Sequence, residues 1–170
     1  KPPAKVVANG GRVHPNYEGN IFDHMTATYE WANGARGVIA QRQIANCYSD
    51  NSDYVLGGKG KGWNGWSNAY FKNADGSNGW RYRGENPDMY VVEHQHLYRA
   101  IRAGEFHNDG DRMVNSTLAG IMGRLSAYTG QEVTWEQALN SKIQLVPDNM
   151  SWDMKLPIEP LPVPGKTKLS

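Results

Sequence analysis

Only one cysteine, Cys47, occurs in the 170 residues. No internal disulfide can staple the chain, and a lone thiol of this kind reads as packing rather than chemistry. No apolar run reaches the roughly 18 to 20 residues needed to cross a bilayer, and no signal-like segment stands at the start. Charge of one sign is equally scarce: 18 Lys and Arg against 17 Asp and Glu leave a net charge of +1, with both signs interspersed. That balance gives no electrostatic footprint for nucleic acid and no basic run for a membrane surface, so neither partner is expected. A nucleophile elbow is missing too, and no carboxylate pair stands out for acid–base work. Asp50, Asp53, Glu85, Asp88 and Glu93 are scattered among turns and helix starts, where acidic residues are ordinary.

Glycine and aromatic residues are abundant, and their placement sets the organisation. In "IFDHMTATYEWANGARGVIAQRQI" two runs rich in β-branched and aromatic residues flank Asn33-Gly34, the pair suited to a two-residue type I′ hairpin. Pairing outward from that turn sets Trp31 opposite Arg36, Tyr29 opposite Val38, Ala27 opposite Ala40 and Met25 opposite Arg42 on a mostly apolar face. Glu30, Thr28, Thr26 and His24 then face Gly37, Ile39, Gln41 and Gln43 on a mostly polar one. Further strands are expected near Val6–Val13, Asp53–Leu56, Asn68–Lys72 and Trp80–Arg83, separated by turn clusters such as "NADGSNG".

The second half changes period. Tyr90, His94, Leu97 and Ile101 recur at helical spacing between Asp88 and a stop at Gly104, and Leu118, Ile121, Leu125 and Tyr128 do so before Gly130. Gly120, Gly123 and Ala127 on another side of the second helix would admit a close neighbour. Thr134 and Gln137 have the spacing of a capping box for a short third helix. A chain of this length buries roughly 70% of its unfolded surface in one core, so residues 1–146 are expected to form a single α+β domain: a predominantly antiparallel open β-sheet with helices packed on one face. Residues 147–170 ("LPIEPLPVPGK" among them) should run extended over it as a Pro-rich tail.

The stretch "YVLGGKGKGW", from Tyr54 to Trp63, has the look of a phosphate loop but lacks its particulars. Lys61 is followed by Gly62 rather than Ser or Thr, and the residues beyond suggest a turn and a strand, not a helix. A tight strand-to-strand connection is expected, with Lys59 and Lys61 in solvent. "EHQH" at Glu93–His96 suggests a metal site, but His94 and His96 lie two residues apart, about 200° around a helix, and cannot chelate one ion. His94 sits on the apolar stripe and is expected in a core or between domains, and His96 at the surface. Three of the five histidines converging would instead point to a metal-dependent hydrolase.

Taken in order, "GNIFDHMTATYEWANGARGVIAQRQI", the "GGKGKG" turn, "YVVEHQHLYRAIRAGEFHN" and "STLAGIMGRLSAYTGQEVTWEQALNSK" before a Pro-rich tail resemble the C-terminal domain of the glucose-fructose oxidoreductase, inositol dehydrogenase and MocA (Gfo/Idh/MocA) family, in its bacterial subgroup. The resemblance runs nearly the whole length. It implies a parent enzyme with an N-terminal Rossmann domain holding NAD or NADP, followed by this domain, which shapes a sugar or polyol pocket and forms homo-oligomers through the open face of its sheet. It also implies that Gly57 to Gly60 turn between strands. No GxGxxG follows a first strand, and no Glu-Lys-Pro or Asp-x-x-x-His motif of the family is present, so no cofactor, catalytic or metal residue is expected in this segment. With its start at Lys1, the chain reads as a fragment of a longer oxidoreductase, of periplasmic or cytoplasmic location in a bacterium.

The substrate-orienting candidates, chosen by polarity and placement, are His24, Arg42, Gln43, His94, His107 and Asn108; for His107 and Asn108 a plain loop role is the competing reading. The alternative function is a non-catalytic carbohydrate-binding module. It would use Trp63, Trp66 and Trp80, close to Tyr70, Phe71 and Tyr82, as a stacking surface. Such residues also commonly fill a sheet's buried face or an oligomer interface.

Overall fold

The computed structural model describes residues 1–14 and 16–169. Along the chain the elements are β1 (Lys5–Gly11), β2 (His24–Glu30), β3 (Arg36–Arg42), β4 (Asp53–Gly57), β5 (Gly60–Asn64), β6 (Ala69–Asn73), β7 (Trp80–Arg81), α1 (Met89–Ala103), α2 (Gly110–Thr129), β8 (Val133–Thr134) and α3 (Trp135–Leu139). All strands but the short β8 precede the helices, and they pair antiparallel in open sheets, an α+β fold as expected. They form two four-stranded sheets, β3-β2-β1-β8 and β4-β5-β6-β7. The chain divides into two compact units, residues 1–45 with 108–170, and residues 46–107.

In the first unit, α2 lies on one face of the sheet. Val6 and Ala8 of β1 and Ala27 and Tyr29 of β2 pack with Met122, Leu125, Ala127 and Tyr128 of α2, joined by Phe22, Val133 and Ala138. Val6, Met122 and Val133 are almost completely shielded from water, and burial of such side chains stabilises the fold by about 1.5–3 kcal/mol each. Gly123 permits the approach of helix to sheet, since a Cβ there would sit 2.5 Å from the Tyr29 hydroxyl oxygen. That hydroxyl donates to the Ala119 carbonyl at 2.8 Å. Gly120, expected to do the same, faces open space.

β8 pairs with β1 only at Lys5 and Val6. Beyond it, Ser126 of α2 takes over the strand edge: its Oγ accepts from the Ala8 N–H at 2.8 Å and donates to the Gln131 carbonyl at 2.7 Å. The Thr134–Gln137 capping box forms with both hydrogen bonds present. In the C-terminal segment, Gly165 N–H donates to the Thr129 carbonyl and Leu169 packs against the core.

The β2–β3 hairpin has the expected strands but a different register. Its loop is three residues, closed by Trp31 N–H donating to the Ala35 carbonyl and Gly34 N–H to the Trp31 carbonyl. Gly34 takes a φ of +83°, whereas Asn33 has no positive φ. This is a tight turn followed by one left-handed residue, not a type I′ turn, which needs positive φ at both central positions. Glu30 consequently pairs with Arg36, Thr28 with Val38, Thr26 with Ala40 and His24 with Arg42. A slip of one residue turns every β3 side chain to the other face. Val38 and Ala40 thus lie with Val7, Thr28 and His24 on the face opposite α2, while Gly37 and Ile39 align with Tyr29 and Ala27.

In the second unit, Gly57 pairs with Gly60 across a two-residue connection, so the glycine-rich stretch is a strand-to-strand turn as expected, with Lys59 and Lys61 exposed. The strand that follows, β5, includes Gly60-Lys61-Gly62, which reads as turn in sequence. Asp88 caps α1 by accepting from the Tyr90 and Val91 N–H groups, and Gly104 ends it in the left-handed conformation. Of the whole helix only Ala100 is buried. The stripe of Tyr90, Leu97 and Ile101 is well exposed.

Candidate functional site

Three of the predicted substrate-binding residues come together at the open end of the β2–β3 hairpin. His24 begins β2 directly opposite Arg42 at the end of β3, and the Gln43 N–H donates to the Asp23 carbonyl at 2.8 Å. The residue that organises them, Asp23, was not among the candidates. Its side chain is 6% exposed. One carboxylate oxygen accepts from the Val13 and His14 N–H groups at 2.8 and 3.1 Å, and the other lies 2.8 Å from His24 Nδ1. Burial pushes the Asp23 carboxyl up, but the hydrogen bonds from His24 and from the His14 and Val13 amides outweigh it and hold it down at about 2. The only sequence signal was an Asp-His pair at a strand start.

An ionised carboxylate can only accept, so Nδ1 carries the proton in this contact, and in the neutral ring Nε2 is an acceptor. The strand on the other side of His24 contributes Gly11. A Cβ there would lie 3.4 Å from His24 Cε1, so the imidazole lies alongside this strand position. The His24 side chain remains 41% exposed. An imidazole held by Asp23, on a strand position paired with Arg42, offers a hydrogen-bond acceptor to hydroxyl groups, and arginine at the paired position is a residue type rich in donors. Arg12 reinforces the adjoining loop by donating to the carbonyls of His14, Glu18 and Gly19.

The other three candidates are separate. Asn108 Oδ1 accepts from the Gly110 N–H at 2.9 Å and so shapes the start of α2. In the second unit, His107 Nε2 lies 3.4 Å from Glu105 Oε2. His94 Nδ1 sits 2.7 Å from the Tyr90 carbonyl oxygen, one turn back on α1. His94 is exposed rather than in a core, because nothing in its unit covers that stripe; His96 is at the surface as expected. Among the described residues no three of His, Cys, Asp and Glu are placed to hold a metal ion. The glycines of residues 57–62 lie in a hairpin and open no helix, so they do not fit a dinucleotide pyrophosphate.

The fold defined by these elements recurs as a part of oxidoreductases that are much longer than this chain. No protein-family model and no curated protein matches it. Among solved structures, a Desulfitobacterium hafniense protein provisionally named an NADPH-dependent oxidoreductase aligns over 82% of this chain and 44% of its own, at 14% identity and a TM-score of 0.67. An Agrobacterium radiobacter oxidoreductase in complex with NAD+, L-tartaric acid and magnesium aligns over 79% and 44%, at 14% identity and 0.62. The aldose-aldose oxidoreductase of Caulobacter crescentus, complexed with glycerol, aligns over 79% and 42%, at 17% and 0.59. The chain therefore shares the fold of a part of these oxidoreductases, and spans about two fifths of the length of the proteins it matches.

Proposed function

We propose that this chain is the substrate-binding and oligomerising C-terminal domain of an NAD(P)-dependent oxidoreductase acting on a sugar or polyol. In this reading the Rossmann domain, with its NAD or NADP, belongs to the same parent polypeptide. The observation that carries the reading is the fold match to oxidoreductases of which this chain covers only about two fifths. A second feature supports it: the apolar stripe of α1, Tyr90, Leu97 and Ile101 with His94 among them, is left uncovered by its own unit, as a surface that receives another domain would be.

Within the parent, His24, Arg42 and Gln43 orient substrate hydroxyls, with Asn108 a further polar contributor of the same unit; His94 and His107 are separate polar candidates of the second unit. The open face of the β3-β2-β1-β8 sheet, away from its His24–Arg42 end, is the homo-oligomer surface; Val7 and Val38, 53% and 67% exposed, flank Thr28 there. In this reading residues 1–146, which include the second compact unit, serve together as the substrate-binding and oligomerising part, and 147–170 are its tail. The test is nicotinamide reduction by the parent enzyme across a panel of aldoses and polyols, repeated with His24→Ala and Arg42→Ala. Turnover of at least one such substrate, with KM raised in the variants, supports the reading. Absence of turnover with every sugar and polyol refutes the substrate class.

The carbohydrate-module reading keeps one supporting observation. Trp66 and Trp80 are 68% and 57% exposed, not sealed in a core.

A further inference from the structure

Sheet β4-β5-β6-β7 carries a second constellation, within the second unit alone and independent of the oxidoreductase reading. Residues paired across an antiparallel sheet share a face. Tyr54, Trp63, Tyr70 and Arg81 stand in one such row, and Leu56, Lys61 and Lys72 in the next. Trp63 and Tyr70 stack with ring centroids 5.8 Å apart and planes 25° from parallel. Lys72 Nζ lies 5.5 Å from the Tyr70 ring centroid. Together with Trp80, Arg81 and Arg83 they line a shallow concavity of about 810 Å³, the volume class of small-molecule sites.

Two features make this more than an exposed aromatic patch. Lys61 and Lys72 are direct cross-strand partners, and like charges in that position repel. Moreover, among the described residues, none of Lys61, Lys72, Arg81 and Arg83 has a carboxylate within 4.0 Å. Asp50, beside the same face, is already engaged by the Tyr54 hydroxyl, which donates to it at 2.8 Å. None of these cations is therefore paired with a carboxylate at contact distance. A ligand that relieves them must bring negative charge and an apolar face for the rings.

We propose that the Trp63–Tyr70 stack with Lys72 and Arg81 is a binding site for an anionic saccharide. One sugar ring lies its C–H face on the aromatic pair, and its carboxylate or phosphate is held by Lys72 and Arg81, with Arg83 at the rim. Arg81 is pre-positioned by the Asn68 side chain, whose Oδ1 accepts from Arg81 Nη2 at 3.4 Å. A neutral sugar would gain the stacking but leave the cations unpaired, so charge sets the preference.

The test is titration of the full chain with digalacturonate, with glucose 6-phosphate and with neutral cellobiose, read by calorimetry and tryptophan fluorescence. Sedimentation runs alongside, and Lys72→Gln and Arg81→Gln serve as variants at exposed positions. Binding of either anion at millimolar to micromolar concentration, with cellobiose and each variant weaker by roughly tenfold, supports the site. Which anion binds tells carboxylate from phosphate. Absence of binding by both anions, equal binding of cellobiose, or unchanged affinity in both variants overturns it. So does a self-association that the two variants abolish and the sugars do not compete with, since the face would then belong to a second copy.

Discussion

Two glycines one turn apart on α2 should respond in opposite directions to the same substitution. On propensity alone, glycine to alanine in a helix interior stabilises by up to about 1 kcal/mol. At Gly120, a new Cβ meets nothing within 4 Å and the position is exposed, so Gly120→Ala should realise most of that gain. At Gly123, the Cβ would come 2.5 Å from the Tyr29 hydroxyl oxygen and 3.6 Å from the Ala27 Cβ. Tyr29 is 4% exposed and its hydroxyl is committed to the Ala119 carbonyl, so it has no room to swing away. Overpacking of this kind costs about 1–3 kcal/mol, and loss of the Tyr29 hydrogen bond about 1 kcal/mol more. Steric cost exceeds propensity, and Gly123→Ala should lose about 1–3 kcal/mol net, a fall of roughly 2–10 °C in Tm. Urea denaturation of the two variants beside wild type measures both signs. Adding Tyr29→Phe to Gly123→Ala should recover part of the loss through coupling. Stabilisation by alanine at both positions would refute the close contact of α2 with β2.

Asp23→Asn should destabilise the chain near neutral pH. The carboxyl is held at about 2 against an ordinary 3.8, so its contribution is present above the ordinary value and is lost as pH falls toward 2; the gap between variant and wild type should close over that window, and a gap that persists at low pH contradicts the assignment. Ser126→Ala strands the buried Ala8 N–H and should cost about 1–3 kcal/mol in urea denaturation; a neutral result would mean the strand edge is satisfied otherwise. Val38→Lys places a charge in the proposed homo-oligomer face and should weaken assembly by roughly a hundredfold while leaving the circular dichroism of the monomer unchanged; sedimentation that matches wild type would remove the face from consideration.

Local signals in the sequence were the most legible. The Thr134–Gln137 box, the stops at Gly104 and Gly130 and the Gly57–Gly60 turn are written in short-range chemistry and appear where that chemistry puts them. The hairpin register was less so, because Asn33-Gly34 suits more than one loop and a one-residue choice inverts β3. β8 is two residues long and made by pairing with β1, so no periodicity could reveal it. Asp23 was overlooked for a related reason: its partners Val13 and His14 are about ten residues away and meet it only once the loop closes. The α1 stripe was periodic and correct as a helix, yet periodicity names an apolar face without naming what covers it.

The most direct measurement is the intact mass and N-terminal sequence of this protein as its native host produces it. A product larger than this chain by a Rossmann domain of about 100–200 residues, carrying these residues at its C-terminal end, is the predicted result. A native product that starts near Lys1 and has no such domain would contradict it, and would leave a sugar-binding or scaffolding protein with an oxidoreductase fold.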